Sequence, residues 1–333
     1  MNSENKIFKK NQKNGQDKNN EKIIFIYKKI FYKCISLFII FIYFLFNFIK
    51  VKINNIKKKQ EIDDIINFTE KDCDFIKDKL KNRTKPFDYE KELIFFISLI
   101  SCKIPFSFIR FGDGEESIMS GKIIDGGDKW HWDQNNTKFQ DSLIKASSIC
   151  LESNNFITIP CKNWITYSKS ILSFSKCTSA KYMSYTTLFV NKNFQSFRYW
   201  FLRFIKYSSR WKIILIANFD INMKISWAYK FFPIPNHIVE NWDELSSTLL
   251  PKLSDEARKN ELIFFVSAGP GANIIISYLI KINNKNIYID LGSSLEIFTK
   301  GYSTRYYIDK KGKESNKRCE AFYLKDKKLF YEN

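Results

Sequence analysis

Histidine is nearly missing from this 333-residue chain, which has only His131 and His237. A zinc site built on several imidazoles is therefore excluded, and any metal must rest mainly on carboxylates. Glycine (11) and proline (7) are scarce, which excludes collagenous and proline-rich architectures. Cysteine occurs seven times, an odd count with no CxxC pair, too sparse for a disulfide-built scaffold. Acidic residues are in deficit as well, 35 against 54 Lys and Arg, for a net charge of +19. Apolar residues are plentiful: 44% of the chain is hydrophobic and 17% aromatic, so a mostly disordered chain is excluded. One or two domains with a substantial core are expected.

The positive excess is uneven, +11 on residues 1–60 and +8 on the rest. Residues 1–29 read as a disordered basic tail. Ile30 to Ile49 then carries a single charge, Lys33, and about 20 apolar residues suffice to cross ~30 Å of hydrocarbon. A transmembrane helix is expected over 30–49, with membrane lipid as a partner. Residues 50–85 read as a basic linker and helical stalk, its helix at Glu61 to Lys81 being a stalk or the first helix of the body, and 86–333 as the catalytic body. The lysines close to the two ends of the span nearly balance. The nine lysines of the whole N-terminal tail point to a single-pass, type II orientation, with the body across the membrane. Lys, Asn, Ile and Phe are used heavily throughout, as an AT-rich genome would impose, so bare positive charge is weak evidence for nucleic-acid binding. Most of that charge lies beside the span, where each Lys attracts anionic lipid by ~1 kcal/mol. No nucleic-acid partner is expected. N-x-S/T triplets occur at Asn67, Asn82 and Asn135.

Past the span, helices and strands alternate. Helical spacing covers Glu61 to Lys81, Tyr89 to Cys102, Thr137 to Glu152, Phe194 to Tyr207, Trp242 to Lys259 and Ala272 to Ile282. Short apolar runs at Phe106–Arg110, Asn155–Pro160, Trp211–Ala217, Glu261–Ser267 and Asn286–Asp290 read as strands. The pattern predicts an α/β fold, a Rossmann-like, mostly parallel sheet with helices on both faces. Ligands of such sheets bind outside the carboxyl ends of the strands.

Two strand-to-helix junctions carry the chemistry. In Arg110-Phe-Gly-Asp-Gly-Glu115, Gly112 and Gly114 flank Asp113 and let the backbone approach a ligand. An irregular turn is expected there, with a short helix from Glu116 to Ser120. In such a turn Asp113 and Glu115 can converge on one hard cation. Arg110 can pair with a phosphate or hold a carboxylate. The plainer alternative is a turn in which Asp113 caps the next helix. In Ser267-Ala-Gly-Pro-Gly-Ala-Asn273, a glycine-rich turn opens a helix and offers N–H groups to an anion, or else only packs helix on sheet. It is neither a GxGxxG fingerprint nor a P-loop. Asp290 ends its strand and is followed by Gly292. Trp130-His-Trp-Asp133 can stack on a sugar ring or belong to the core. His237 and Glu240 stand close together in sequence, His237 reading as structural rather than as a base.

At these residues the chain resembles the GT-D glycosyltransferases, whose signature is R-F/Y-G-D-G-E. Val266-Ser-Ala-Gly-Pro-Gly-Ala-Asn273 is similar to the family's S-x-G-P turn, and Ile287-Tyr-Ile-Asp-Leu-Gly292 to its closing strand. The matches run in the family's order from Phe106 to Phe298. The resemblance implies that Asp113 and Glu115 bind Mn²⁺ or Mg²⁺ and, through it, the diphosphate of a nucleotide-sugar, a UDP-sugar first. Gly112 and Gly114 would shape that loop, and Gly269, Pro270 and Gly271 would lie beside the donor. Arg110, Asn273 and Asp290, within the same motifs, complete the expected donor-binding set. The implied protein is a membrane-anchored, metal-dependent glycosyltransferase moving a hexose to a glycan or glycoconjugate acceptor. Asp133, His131, Glu240 and Asp290 are alternatives for its base. Two other readings are a membrane module that binds nucleotide or glycan without turnover, and a basic nucleic-acid binder.

Overall fold

The computed structural model describes residues 40–125, 131–147, 154–159, 180–190, 193–207, 210–218 and 225–301. It divides into two compact units, 1–60 and 61–333. In the first, residues 40–60 are helical, and Ile40, Phe41, Ile42, Tyr43, Phe44, Leu45, Phe46 and Phe48 are all exposed. An α-helix turns 100° per residue, so these side chains cover every side of it. That is not the pattern of a helix lying on a protein surface, which keeps one polar face. Among the described residues, no helix is long and apolar enough to cross a membrane. The basic tail and residues 30–39 of the expected span lie outside the described residues.

The second unit is an α/β fold around a parallel sheet of seven strands. The strands are β1 (Phe106–Arg110), β4 (Asn155–Ile159), β5 (Met183–Tyr185), β6 (Lys212–Ala217), β7 (Lys230–Pro233), β8 (Leu262–Ser267) and β9 (Ile287–Asp290). Their order is β5-β4-β1-β9-β8-β6-β7, and every neighbouring pair is parallel. A separate antiparallel hairpin joins β2 (Ile124–Asp125) to β3 (His131–Trp132).

Side chains alternate across a strand, so the continuous apolar runs of β6 and β8 supply both faces. Ile213, Leu215, Ile263 and Phe265 enter one core cluster, and Ile214, Ile216, Phe264 and Val266 the other. The first cluster is covered by α1 (Glu70–Lys81), α2 (Tyr89–Ser101) and α5 (Phe194–Lys206). On α5, Phe194, Phe197, Trp200, Phe201 and Phe204 are buried at helical spacing. The Phe96 ring of α2 sits 4.9 Å from both Phe108 and Phe156. Each such ring contributes about 1.5–3 kcal/mol by leaving water. The second cluster is covered by α3 (Asp113–Met119), α4 (Thr137–Ser147), α6 (Trp242–Ala257) and α7 (Gly271–Ile282).

From residue 61 onward the segment packs as the first helices of the body. Ile62, Ile65, Ile76 and Leu80 are buried in the same cluster as Phe95 and Phe96. Two further links tie this segment to α2 and to the sheet. Cys73 on α1 is disulfide-bonded to Cys102, the cap residue of α2. Arg83 pairs with Glu92 at 2.5 Å, both side chains fully buried, and donates to the carbonyls of Lys181 and Met183 beside and within β5.

Candidate active site

Because the strands are parallel, Arg110, Asp290 and Ser267 end three adjacent strands, β1, β9 and β8, at one edge. Arg110 Nη2 donates to Asp290 Oδ1 at 3.0 Å. The Asp290 carboxylate is almost fully buried, and burial pushes its pKa up against the pull of the Arg110 charge and of N–H groups from Gly292 and Arg110. Gly292 is the seat of the guanidinium: its φ is +47°, and a Cβ there would lie 1.7 Å from Arg110 Nη2. Asn273, buried on α7, donates from Nδ2 to the Arg110 carbonyl at 2.9 Å, while its Oδ1 is buried without a partner among the described residues.

The Asp113–Glu115 segment departs from the expected irregular turn, because α3 begins at Asp113 rather than at Glu116. Gly112 is the cap residue, and its N–H donates to Glu115 Oε2 at 2.8 Å. That bond satisfies one of the N–H groups left over at a helix start, which is why the helix starts early despite Gly114. Residues two apart do not share a face of a regular helix, so the two carboxylates can meet on one ion only from the first turn of α3, where Asp113 is the first helical residue. The side chain of Asp113 lies outside the described residues. Burial, with the Asp290 charge adding to it, pushes the Glu115 carboxyl up to about 7, against N–H groups of Glu115 and Gly112 and the Arg110 charge. Half-buried Glu115 thus feels the charges of both the buried Asp290 and Arg110.

The turn before α7 is tighter than an open anion cradle. Gly269 has φ +50°, which the turn requires. The N–H groups of Gly271 and Ala272, however, bond to the carbonyls of Ala268 and Gly269 at 3.1 and 3.0 Å. Gly271 is close to a side chain: a Cβ there would lie 2.7 Å from Ile238 Cδ1. Its smallness serves the packing of the 238–242 segment on α7.

That same segment gathers the polar residues of the rim. Glu240 Oε1 accepts the His131 N–H at 2.6 Å and lies 3.2 Å from His237 Nδ1. His131 Nε2 is 3.9 Å from Asp133 Oδ2. His237 has φ +59°, an uncommon conformation for a residue with a Cβ. Trp132, expected as a possible sugar platform, is in the core at 1% exposure with its indole N–H on the Asn136 carbonyl. Trp130 lies outside the described residues.

Two threonines at this edge carried no sequence signal: Thr158 on β4 and Thr186 after β5, whose hydroxyls are 2.9 Å apart. The cavity lined by Ser107, Asn154, Asn155 and Asn286 opens at the opposite, amino-terminal edge. There Asn155 accepts from Ser107, and Asn286 binds the Leu262 N–H and the Ala257 carbonyl, so these amides staple strand starts.

Among the described residues, no group of three or more His, Cys, Asp or Glu is placed to hold a metal ion. The donors at the β1–β9 edge, two carboxylates and a buried amide oxygen with no partner among the described residues, are nonetheless all oxygens, the kind a hard divalent cation takes. Comparison with protein-family models, curated proteins and solved structures finds no match.

Proposed function

We propose that the chain is a membrane-anchored, metal-dependent glycosyltransferase that moves a hexose from a nucleotide-sugar, a UDP-sugar first, to a glycan or glycoconjugate acceptor. One observation carries this reading. Glu115, Arg110, Asp290 and Asn273 converge at the carboxyl ends of β1, β9 and β8, the edge where parallel sheets bind ligands. Asp113 and Glu115 would hold Mn²⁺ or Mg²⁺. When bound, that ion supplies positive charge to a departing diphosphate. Arg110 adds a guanidinium of the right shape for phosphate oxygens, held in place by Asp290 and by the bare Cα of Gly292. Gly112 and Gly114 keep the start of α3 free of bulk, and the Gly269-Pro270-Gly271 turn walls the donor side. Asp290 is committed to Arg110, which leaves Glu240, Asp133 and His131 on the rim as alternatives to take the acceptor's proton. Ile30 to Ile49 is the anchor, a reading supported by the apolar surface that residues 40–49 present all round.

The test is a donor screen. Detergent-solubilised full-length protein is incubated with UDP-, GDP- and CMP-sugars, with and without Mn²⁺. Metal-dependent release of one nucleotide is expected. No release from any donor, with or without an acceptor glycan, contradicts the proposal.

A further inference from the structure

We propose that Asn67, Asn82 and Asn135 are acceptors for N-linked glycans, added in the same oxidising compartment in which the Cys73–Cys102 disulfide forms. Each asparagine stands in an N-x-S/T triplet, with Phe68, Arg83 and Asn136 between, none of them proline. Such triplets arise by chance in an asparagine-rich chain, so they do not carry the inference alone. All three asparagines are exposed, and all three lie where regular structure stops. Asn67 follows the helix that ends at residue 66, Asn82 caps the end of α1, and Asn135 is in the turn between β3 and α4. The fold therefore leaves room for a bulky glycan at each, with no core residue to displace.

The independent observation is the disulfide. Cys73 and Cys102, 29 residues apart, are bonded with a Cα separation of 5.2 Å. Helix α1, which carries Cys73, is flanked by two of the three triplets. Glutathione and thioredoxin systems keep cytosolic thiols reduced, so a structural disulfide marks a chain that passes through an oxidising compartment. The chemistry in that compartment balances as follows. Two cysteine thiols give up two protons and two electrons to the disulfide of a thiol oxidoreductase, which becomes a dithiol. Each asparagine Nδ2 bonds to the anomeric carbon of a sugar carried on a lipid diphosphate. The amide loses a proton, and the lipid diphosphate leaves with the bonding pair. The inference takes the membrane anchor from the proposed function, with the type II orientation expected from the tail lysines, and nothing from its catalysis.

The test reads mass. Full-length protein is taken from its native membranes, denatured in a thiol-blocking reagent and digested without reductant. Half is treated with peptide N-glycosidase in heavy-oxygen water, which converts a glycan-bearing asparagine to labelled aspartate. The expected result is label at positions 67, 82 and 135 and a linked peptide pair containing Cys73 and Cys102. Unlabelled asparagine at all three positions overturns the proposal, whatever the state of the cysteines. Blocked thiols at both Cys73 and Cys102 overturn it equally. Neither readout depends on turnover, so this proposal and the glycosyltransferase reading can fail separately.

Discussion

The Arg110 guanidinium meets Asp290 at 3.0 Å across 180 residues of sequence, joining the ends of β1 and β9 over the bare Cα of Gly292. The pair is nearly buried, with Asp290 at 3% side-chain exposure, and only a residue without a Cβ lets the guanidinium lie flat against the backbone. The geometry fixes a cation at the edge of the sheet, close enough for its charge to act on a second carboxylate, Glu115.

Gly292→Ala tests that seat. The alanine Cβ must displace the guanidinium, and a left-handed backbone costs a residue with a Cβ ~1–2 kcal/mol. The urea midpoint should fall accordingly while the fold survives. Nucleotide affinity should drop with it, because the displaced Arg110 no longer points as Asp290 held it. An unchanged midpoint and affinity would show that the contact is slack.

The buried Arg83–Glu92 pair predicts an asymmetry. Glu92 Oε1 also accepts from Ser184, and Oε2 from the Phe87 N–H, so the charge is fully enclosed. Burial pushes the Glu92 carboxyl up, against the Arg83 charge. Arg83→Met strands the carboxylate and should cost ~3–5 kcal/mol. Arg83→Met with Glu92→Leu removes both charges and should recover much of that loss. Denaturant titration of the two variants decides it; equal losses would mean that the pair is not enclosed as described.

Glu256 supplies the pH prediction. Burial alone would raise its pKa, yet hydrogen bonds from Lys230 at 2.6 Å and Lys259 at 2.7 Å more than offset this and hold it below its ordinary 4.5. A depressed folded pKa gives stability that is present above 4.5 and lost as pH falls through the folded value. Glu256→Gln should therefore cost ~1–2 kcal/mol at neutral pH, since both lysines are about half exposed and solvent screens them. The gap to the wild type should close as pH drops below the ordinary glutamate range. A gap constant with pH would assign the loss to packing.

The fold was largely legible because its central strands are the ones that leave a pattern. β6 and β8 are buried on both faces and read as unbroken apolar runs, and α5 repeats its aromatics at helical spacing. β5 and β7 were missed. Met183–Tyr185 is too short for a period to emerge, and Lys230–Pro233 is an edge strand with exposed ends. The hairpin strands have two residues each. Within the candidate site, the start of α3 was misread because Gly112 and Gly114 argue locally for a turn. The bond from the Gly112 N–H to Glu115 that outweighs them is visible only in three dimensions. Arg110, Asn273 and Asp290 were each picked out by position at a strand end or helix start. Their joining, and the seat that Gly292 provides, depend on contacts across more than 160 residues that no local pattern encodes.

The most direct test of the catalytic reading is donor turnover by Asp113→Asn and Glu115→Gln in the full-length protein, with and without Mn²⁺. The amide introduced by Glu115→Gln keeps an oxygen for the Gly112 N–H, so α3 should still form and thermal stability without metal should hold. Each change removes one negative charge from a site meant for a hard cation. Loss of such electrostatic support to a departing group commonly costs ~3–4 kcal/mol, or about 10²–10³ in rate. The account predicts folded variants with turnover reduced by about that factor and with the stabilisation by Mn²⁺ plus nucleotide gone. Wild-type, metal-dependent turnover in either variant contradicts it, as does unfolding of both, which would make the pair part of the scaffold.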